Sequence, residues 1–137
     1  MRKETEHSIK ILDIAQQLHC PIGENGKEVG RLMYDSTKGM IQETIKALRL
    51  SPNNRILEIG PGNGTHLNNL FKESIGLRYF GLDISQTMIE VAMEENRIHL
   101  DKRKALFQYY DGHTVDYVCH WFDRIMTVNT IYFWKEP

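Results

Sequence analysis

The chain has 137 residues, 41% of them hydrophobic and 26% charged, which is enough apolar material for one core without disulfides or metal. Its 17 basic and 18 acidic residues leave a formal net charge of −1, so nothing electrostatic favours nucleic acid or an anionic membrane, and neither partner is expected. No apolar run approaches the ~20 residues of a membrane span, the amino terminus MRKETEHSIK lacks the apolar stretch of a secretory signal, and Cys20 and Cys119 stand far apart; reduced thiols and a cytoplasmic location are expected.

Along the chain, Ser8 to Cys20 carries Ile9, Leu12 and further apolar residues at helical spacing, so a short helix is predicted to end before Pro21. The stretch CPIGENGKEVG, Cys20 to Gly30, holds one Pro and three Gly and reads as a loop. Arg31 to Leu50 fits a helix with one buried face, closed by SPNN at Ser51 to Asn54. The period then changes. Arg55 to Ile59 is predicted as a buried strand, Thr65 to Ser74 as a helix and Arg78 to Leu82 as a second strand. Ser85 caps a long amphipathic helix to Leu100, Ala105 to Tyr110 is a third strand, and Arg124 to Asn129 a fourth that could run on to Phe133. Alternating strands and helices imply parallel βα units with right-handed crossovers, hence an α/β Rossmann-like sheet. A helical extension or lid over residues 1–50 would precede a half-domain over 51–137.

The segment ILEIGPGNGTHL, Ile56 to Leu67, ends a strand and opens a helix, the setting in which a glycine pattern becomes a ligand-loop candidate. Gly60, Gly62 and Gly64 would let a ligand approach the backbone, and free N–H groups at the helix start would suit an anionic or carboxylate-bearing group. The spacing G-x-G-x-G, with Glu58 ahead of it, differs from the G-x-G-x-x-G of dinucleotide loops and disfavours a pyrophosphate.

Glu58 to Gly64 resembles motif I, E/D-x-G-x-G-x-G, of the class I S-adenosylmethionine-dependent methyltransferases, and GLDIS at the end of the second strand completes the resemblance, with Asp83 nineteen residues after Gly64. The resemblance implies that Asp83 takes the two ribose hydroxyls of S-adenosylmethionine, since one carboxylate accepts from both. It implies that Ile84 packs on the adenine, and that Asp111 and Gly112, which otherwise read as a plain turn, meet the adenine edge. FDRIMTVNTIYFWKEP resembles the fourth strand and following loop of small-molecule members, where Asn129 and Thr130 would lie beside the methionine end. Tyr132, Phe133 and Trp134 read first as packing residues, with an acceptor wall as the alternative. The stretch from Pro21 to Ile41 reads first as ordinary helix packing; it also resembles a segment that closes over the cofactor in some bacterial members, which would turn Met33 and Tyr34 to the pocket. His66 reads as a solvated helix-start residue. His113, Asp116, Cys119 and His120 have no metal-ligand spacing, so no metal is expected.

If the resemblance holds, the function is transfer of a methyl group to an unidentified small molecule, with no catalytic base assigned. The family sheet has seven strands in the order 3-2-1-4-5-7-6, and this chain supplies the first four, so it reads as truncated after the fourth strand. That strand would become an open edge, and nine of the thirteen aromatic residues lie between Phe107 and Trp134, so a homodimer or other self-association is expected. Two alternatives remain: a non-catalytic truncated methyltransferase-like fold that self-associates through this edge, and a nicotinamide- or other nucleotide-dependent enzyme.

Overall fold

In the computed structural model, residues 12–135 are described. Residues 12–19 are helical (α1), while Ser8 to Ile11 of the first predicted helix and the amino-terminal decapeptide lie outside the described residues. The predicted loop from Cys20 to Gly30 is instead mostly helix, because α2 spans Gly23–Ala47. The misleading residues were its glycines. A Cβ on Gly26 would stand 2.7 Å from the carbonyl carbon of Pro21, and one on Gly30 would stand 2.5 Å from Sδ of Met88. These glycines, four apart on one face, let a helix backbone press on its neighbours, which offsets their roughly 1 kcal/mol propensity cost.

Four strands follow: β1 Arg55–Ile59, β2 Arg78–Asp83, β3 Ala105–Tyr109 and β4 Arg124–Thr127. They form one parallel sheet in the order β3-β2-β1-β4, as the βα alternation predicts. In register, Ile59 pairs with Leu82 on one side and Thr127 on the other, so three strands end level. The order reverses direction between β1 and β4, and such switch points open a crevice at the carboxyl ends of strands.

One face of the sheet packs against helices. Ile56, Tyr79 and Met126 meet Ile41 and Ile45 of α2 and Leu67 of the segment after β1 in a continuous core. That segment contains only a short helix, α3 Leu67–Leu70, rather than the predicted Thr65 to Ser74. Two apolar anchors bury it, Asn68 and Asn69 are exposed poor helix formers, and the chain unwinds through i→i−3 bonds from Lys72 and Glu73. The predicted helix from Ser85 to Leu100 breaks into α4 Gln86–Glu95 and α5 Arg97–Asp101. The break is Asn96, buried at 2% exposure, whose Nδ2 donates to Gly64 O at 3.0 Å and Ala92 O at 2.9 Å. β4 stops at Thr127 rather than Asn129 because Asn129 turns left-handed at φ +61, and Ile131–Phe133 forms a 3-10 turn.

On the other face, Leu57, Ile59 and Leu82 are covered by Tyr117 and Phe122 of the irregular connection between β3 and β4. Register aligns Leu106, Phe80, Leu57 and Ile125 in a row across this face. Its outer members stay open, Leu106 at 48% and Ile125 at 63%, and β4 has no neighbour on its outer edge among the described residues. No helix among the described residues is long and apolar enough to cross a membrane.

Candidate functional site

A cavity of about 330 Å³ lies at the carboxyl ends of the strands, within the range of small-ligand sites. Its floor is the loop after β1, one side is the end of β2 with Ile84, and the other is Val128 to Thr130 after β4. α1 and α2 cover it, contributing Leu18, Met33 and Tyr34, and Phe133 and Trp134 complete the wall while Tyr132 does not. His19 of α1 meets Phe133 edge-on at 4.9 Å, so the two ends of the described chain touch across the mouth.

The cover is fastened beside Asp83. Ser85 Oγ donates to the buried Pro21 carbonyl, Gly23 N–H donates to Thr87 Oγ1 at 3.1 Å, and Cys20 Sγ lies 3.6 Å from Ile84 O. Ser85 Oγ also accepts from Met88 N–H at 3.1 Å, the predicted N-cap. Burial first, and the charge of Asp83 second, raise the Cys20 thiol pKa.

The three motif glycines are left-handed, at φ +74, +58 and +65 for Gly60, Gly62 and Gly64, a conformation costly for other residues. Their surroundings differ. A Cβ on Gly60 would collide with Cγ2 of Thr130, so Gly60 joins the ends of β1 and β4. One on Gly64 would stand 2.8 Å from Asn96 Nδ2 and 3.2 Å from Phe107, so Gly64 seats the loop on α4 and β3. One on Gly62 would meet nothing within 4 Å, so this backbone faces the cavity and is open to a ligand.

Hydrogen bonding reveals what kind of ligand suits the loop. Gly60 N–H donates to Leu82 O, Gly64 N–H to Pro61 O, Thr65 N–H to Asn63 Oδ1 and Gly62 N–H to Asp83 Oδ2. These four donors are already used within the protein. Two buried carboxylates, Glu58 at 1% and Asp83 at 7% exposure, adjoin the loop. A pyrophosphate would meet repulsion here, whereas hydroxyl and ammonium donors would meet acceptors.

Asp83 closes β2 with Oδ1 accepting from Ser85 N–H at 2.9 Å and Oδ2 from Gly62 N–H at 3.2 Å. Burial nevertheless pushes its carboxyl up to about 6, with those N–H groups pulling the other way and Glu58 adding to the rise. Glu58 points to the helix side of the sheet. Its Oε2 accepts from the Tyr79 hydroxyl and lies 2.7 Å from His66 Nε2. Thus His66, expected in solvent, is buried at 2% exposure, and its Nδ1 has no partner.

Of the predicted site residues, all but Gly64 line this one cavity. Asp111 is exposed and its Oδ1 accepts from the N–H groups of His113 and Thr114, both at 2.8 Å, which holds its carboxyl below the usual range. Gly112, at φ +83, brings that turn onto Ile84, where a Cβ would lie 3.2 Å from Cγ2. Asn129 is exposed at the cavity rim, and Thr127, two residues earlier, donates to Ile59 O at 2.9 Å, tying β4 to β1. Sequence reasoning missed Tyr79, Asn96 and the buried state of His66. One signal was available: a glutamate inside a buried strand must find donors. Among the described residues no cluster of His, Cys, Asp and Glu is arranged to hold a metal ion.

A family model described as a methyltransferase domain matches residues 56–137. No curated protein matches the sequence. Among solved structures, the chain is similar to a chain of a complex that contains the Haloferax volcanii Trm112 methyltransferase activator, with TM-score 0.68 and 21% identity over 80% of this chain and 47% of that one. It is similar to a SAM-dependent methyltransferase from Aquifex aeolicus, at TM-score 0.65 and 17% identity, covering 81% of this chain and 61% of that one. A Geobacter sulfurreducens SAM-dependent methyltransferase in complex with S-adenosyl-L-homocysteine gives TM-score 0.55 and 21% identity over 87% of this chain and 41% of that one. These likenesses concern the fold, and the chain spans 41–61% of the length of the three.

Proposed function

The chain belongs to the methyltransferase-domain family, and from that premise we propose that its cavity binds S-adenosylmethionine and serves methyl transfer to a small-molecule acceptor. The observation that carries this reading is the pair of buried carboxylates, Glu58 and Asp83, at neighbouring strand ends with the open Gly62 backbone beside them. In this reading Asp83 accepts the ribose hydroxyls, Glu58 faces the ammonium of the methionine end, and Ile84 with the Gly112 turn receives the adenine. Asp111, with one oxygen committed to its own turn, keeps the other for the adenine edge. The Geobacter relative, solved with S-adenosyl-L-homocysteine, supports the choice of ligand.

When bound, the cofactor supplies a methyl group already activated on a sulfonium. The protein's work is then alignment and exclusion of water. Met33 and Tyr34 of α2 with Phe133 and Trp134 give the remaining wall an apolar, aromatic character suited to a small acceptor. No residue is assigned as a base, since alignment alone suffices for a phenol, thiol or amine that is partly deprotonated near neutral pH.

A second, compatible reading is self-association. The outer edge of β4, unpaired among the described residues, and the exposed Ile125 favour pairing with a second copy.

Calorimetric titration with S-adenosylmethionine, S-adenosylhomocysteine and NAD tests the cofactor assignment. Both sulfur nucleosides are expected to bind and, at about 100 times Kd, to add about 2.7 kcal/mol of stability, raising Tm by roughly 5–10 °C. NAD should do neither. Absence of heat and of thermal shift with both sulfur nucleosides refutes the assignment.

A further inference from the structure

Both protein donors to Glu58 converge on one oxygen. Tyr79 O–H and His66 Nε2 meet at Oε2, while Oε1 accepts from no described residue. Glu58 itself is among the residues that line the cavity, so Oε1 is the carboxylate oxygen left to meet a ligand there. Mere neutralisation of a buried carboxylate would be served better by sharing two donors between two oxygens. Placing both on Oε2 does something else: it fixes the terminal carboxylate torsion, otherwise broad and soft, and leaves the other oxygen uncommitted among the described residues.

The two donors are themselves held. Tyr79 lies on β2, its residue paired in register with Ile56, and its ring rests against Phe107 with centroids 5.7 Å apart. Burial, and then the neighbouring Glu58, raise the Tyr79 pKa well above its ordinary value, so the phenol remains a donor. His66 sits at the head of α3, and its Nδ1 is left buried without a partner. An apolar ring would fill the same space without that cost, so the bond to Glu58 is what the imidazole provides.

We propose that His66 and Tyr79 are positioning residues that lock Glu58 with Oε1 toward the cavity, making this end of the site selective for ligands bearing a primary ammonium. The inference rests on the cofactor reading above, in which that ammonium belongs to the methionine end.

Calorimetry on the full chain with two probes separates the claims: S-adenosylhomocysteine carries the ammonium, and 5′-methylthioadenosine has the same nucleoside without the amino-acid end. His66→Leu and Tyr79→Phe are each expected to weaken S-adenosylhomocysteine about tenfold, which is about 1.4 kcal/mol, and to leave 5′-methylthioadenosine within about twofold. His66→Gln, whose amide N–H restores a donor, should recover most of the loss. If His66→Leu does not fold, Tyr79→Phe, which deletes one oxygen, carries the same comparison. Equal losses on both probes, or unchanged affinity for S-adenosylhomocysteine, overturn the positioning role while the cofactor reading stands. Wild-type protein that binds neither probe overturns the cofactor reading and this inference with it.

Discussion

Gly62 and Gly64 share a left-handed backbone, at φ +58 and +65, yet alanine at the two positions should have unequal consequences. Each substitution forces an L-residue into that region, at a cost of about 1–2 kcal/mol. At Gly62 the new methyl meets nothing within 4 Å, and the cost ends there. At Gly64 it would lie 2.8 Å from Asn96 Nδ2, 3.2 Å from Ala92 Cβ and 3.2 Å from Phe107. Asn96 cannot yield freely, because that same nitrogen holds Gly64 O and Ala92 O. Overpacking of this kind costs about 1–3 kcal/mol beyond the strain. Subtracting the variants cancels the shared strain and isolates packing, so Gly64→Ala should be less stable than Gly62→Ala by about 2 kcal/mol. Urea unfolding followed by far-ultraviolet dichroism should separate their midpoints by about 1 M at an ordinary m-value. Midpoints that coincide, or a larger loss in Gly62→Ala, would refute the division of labour among these glycines.

Further expectations concern charge, capping and assembly. Asp83 titrates near about 6 when folded and near ~3.9 when unfolded, so the folded state holds the extra proton between these values. The stability it contributes is present below ~3.9 and lost as pH rises through about 6. Relative to wild type, Asp83→Asn should therefore gain about 3 kcal/mol between pH 3.5 and pH 7.5 in urea unfolding; a pH-independent difference contradicts the burial argument. Ser85→Ala removes the acceptor for Met88 N–H and the donor to the buried Pro21 carbonyl, and should cost about 2 kcal/mol; a loss below ~0.5 kcal/mol in urea unfolding would show that neither bond matters. Sedimentation velocity should find a dimer of the wild type and a monomer of Ile125→Lys, whereas a monomer in both cases removes the case for pairing at β4.

The strands and their parallel order were legible because β-branched, buried runs such as Arg55 to Ile59 alternate with helical periodicity, and few topologies accommodate that alternation. The loop and the strand-end Asp83 were legible for the same reason: position after a strand gives them meaning. What stayed hidden depends on contacts between distant residues. Gly26 and Gly30 carry turn chemistry in isolation and become helix-packing residues only because Pro21 and Met88 face them. Asn96 gives no helix-break signal until its amide is matched with the Gly64 carbonyl, 32 residues away in sequence. His66 looks like a solvated cap residue, since the carboxylate that draws it inward belongs to β1 and the phenol that shares that oxygen to β2.

A crystal structure of the protein saturated with S-adenosylhomocysteine would show whether Asp83 and Glu58 hold the two ends of the ligand. The nucleoside is expected in the cavity above Gly62, with both ribose hydroxyls on Asp83 and the ammonium on Glu58 Oε1. A nucleoside bound elsewhere, or in this cavity with its ribose away from Asp83, would contradict it.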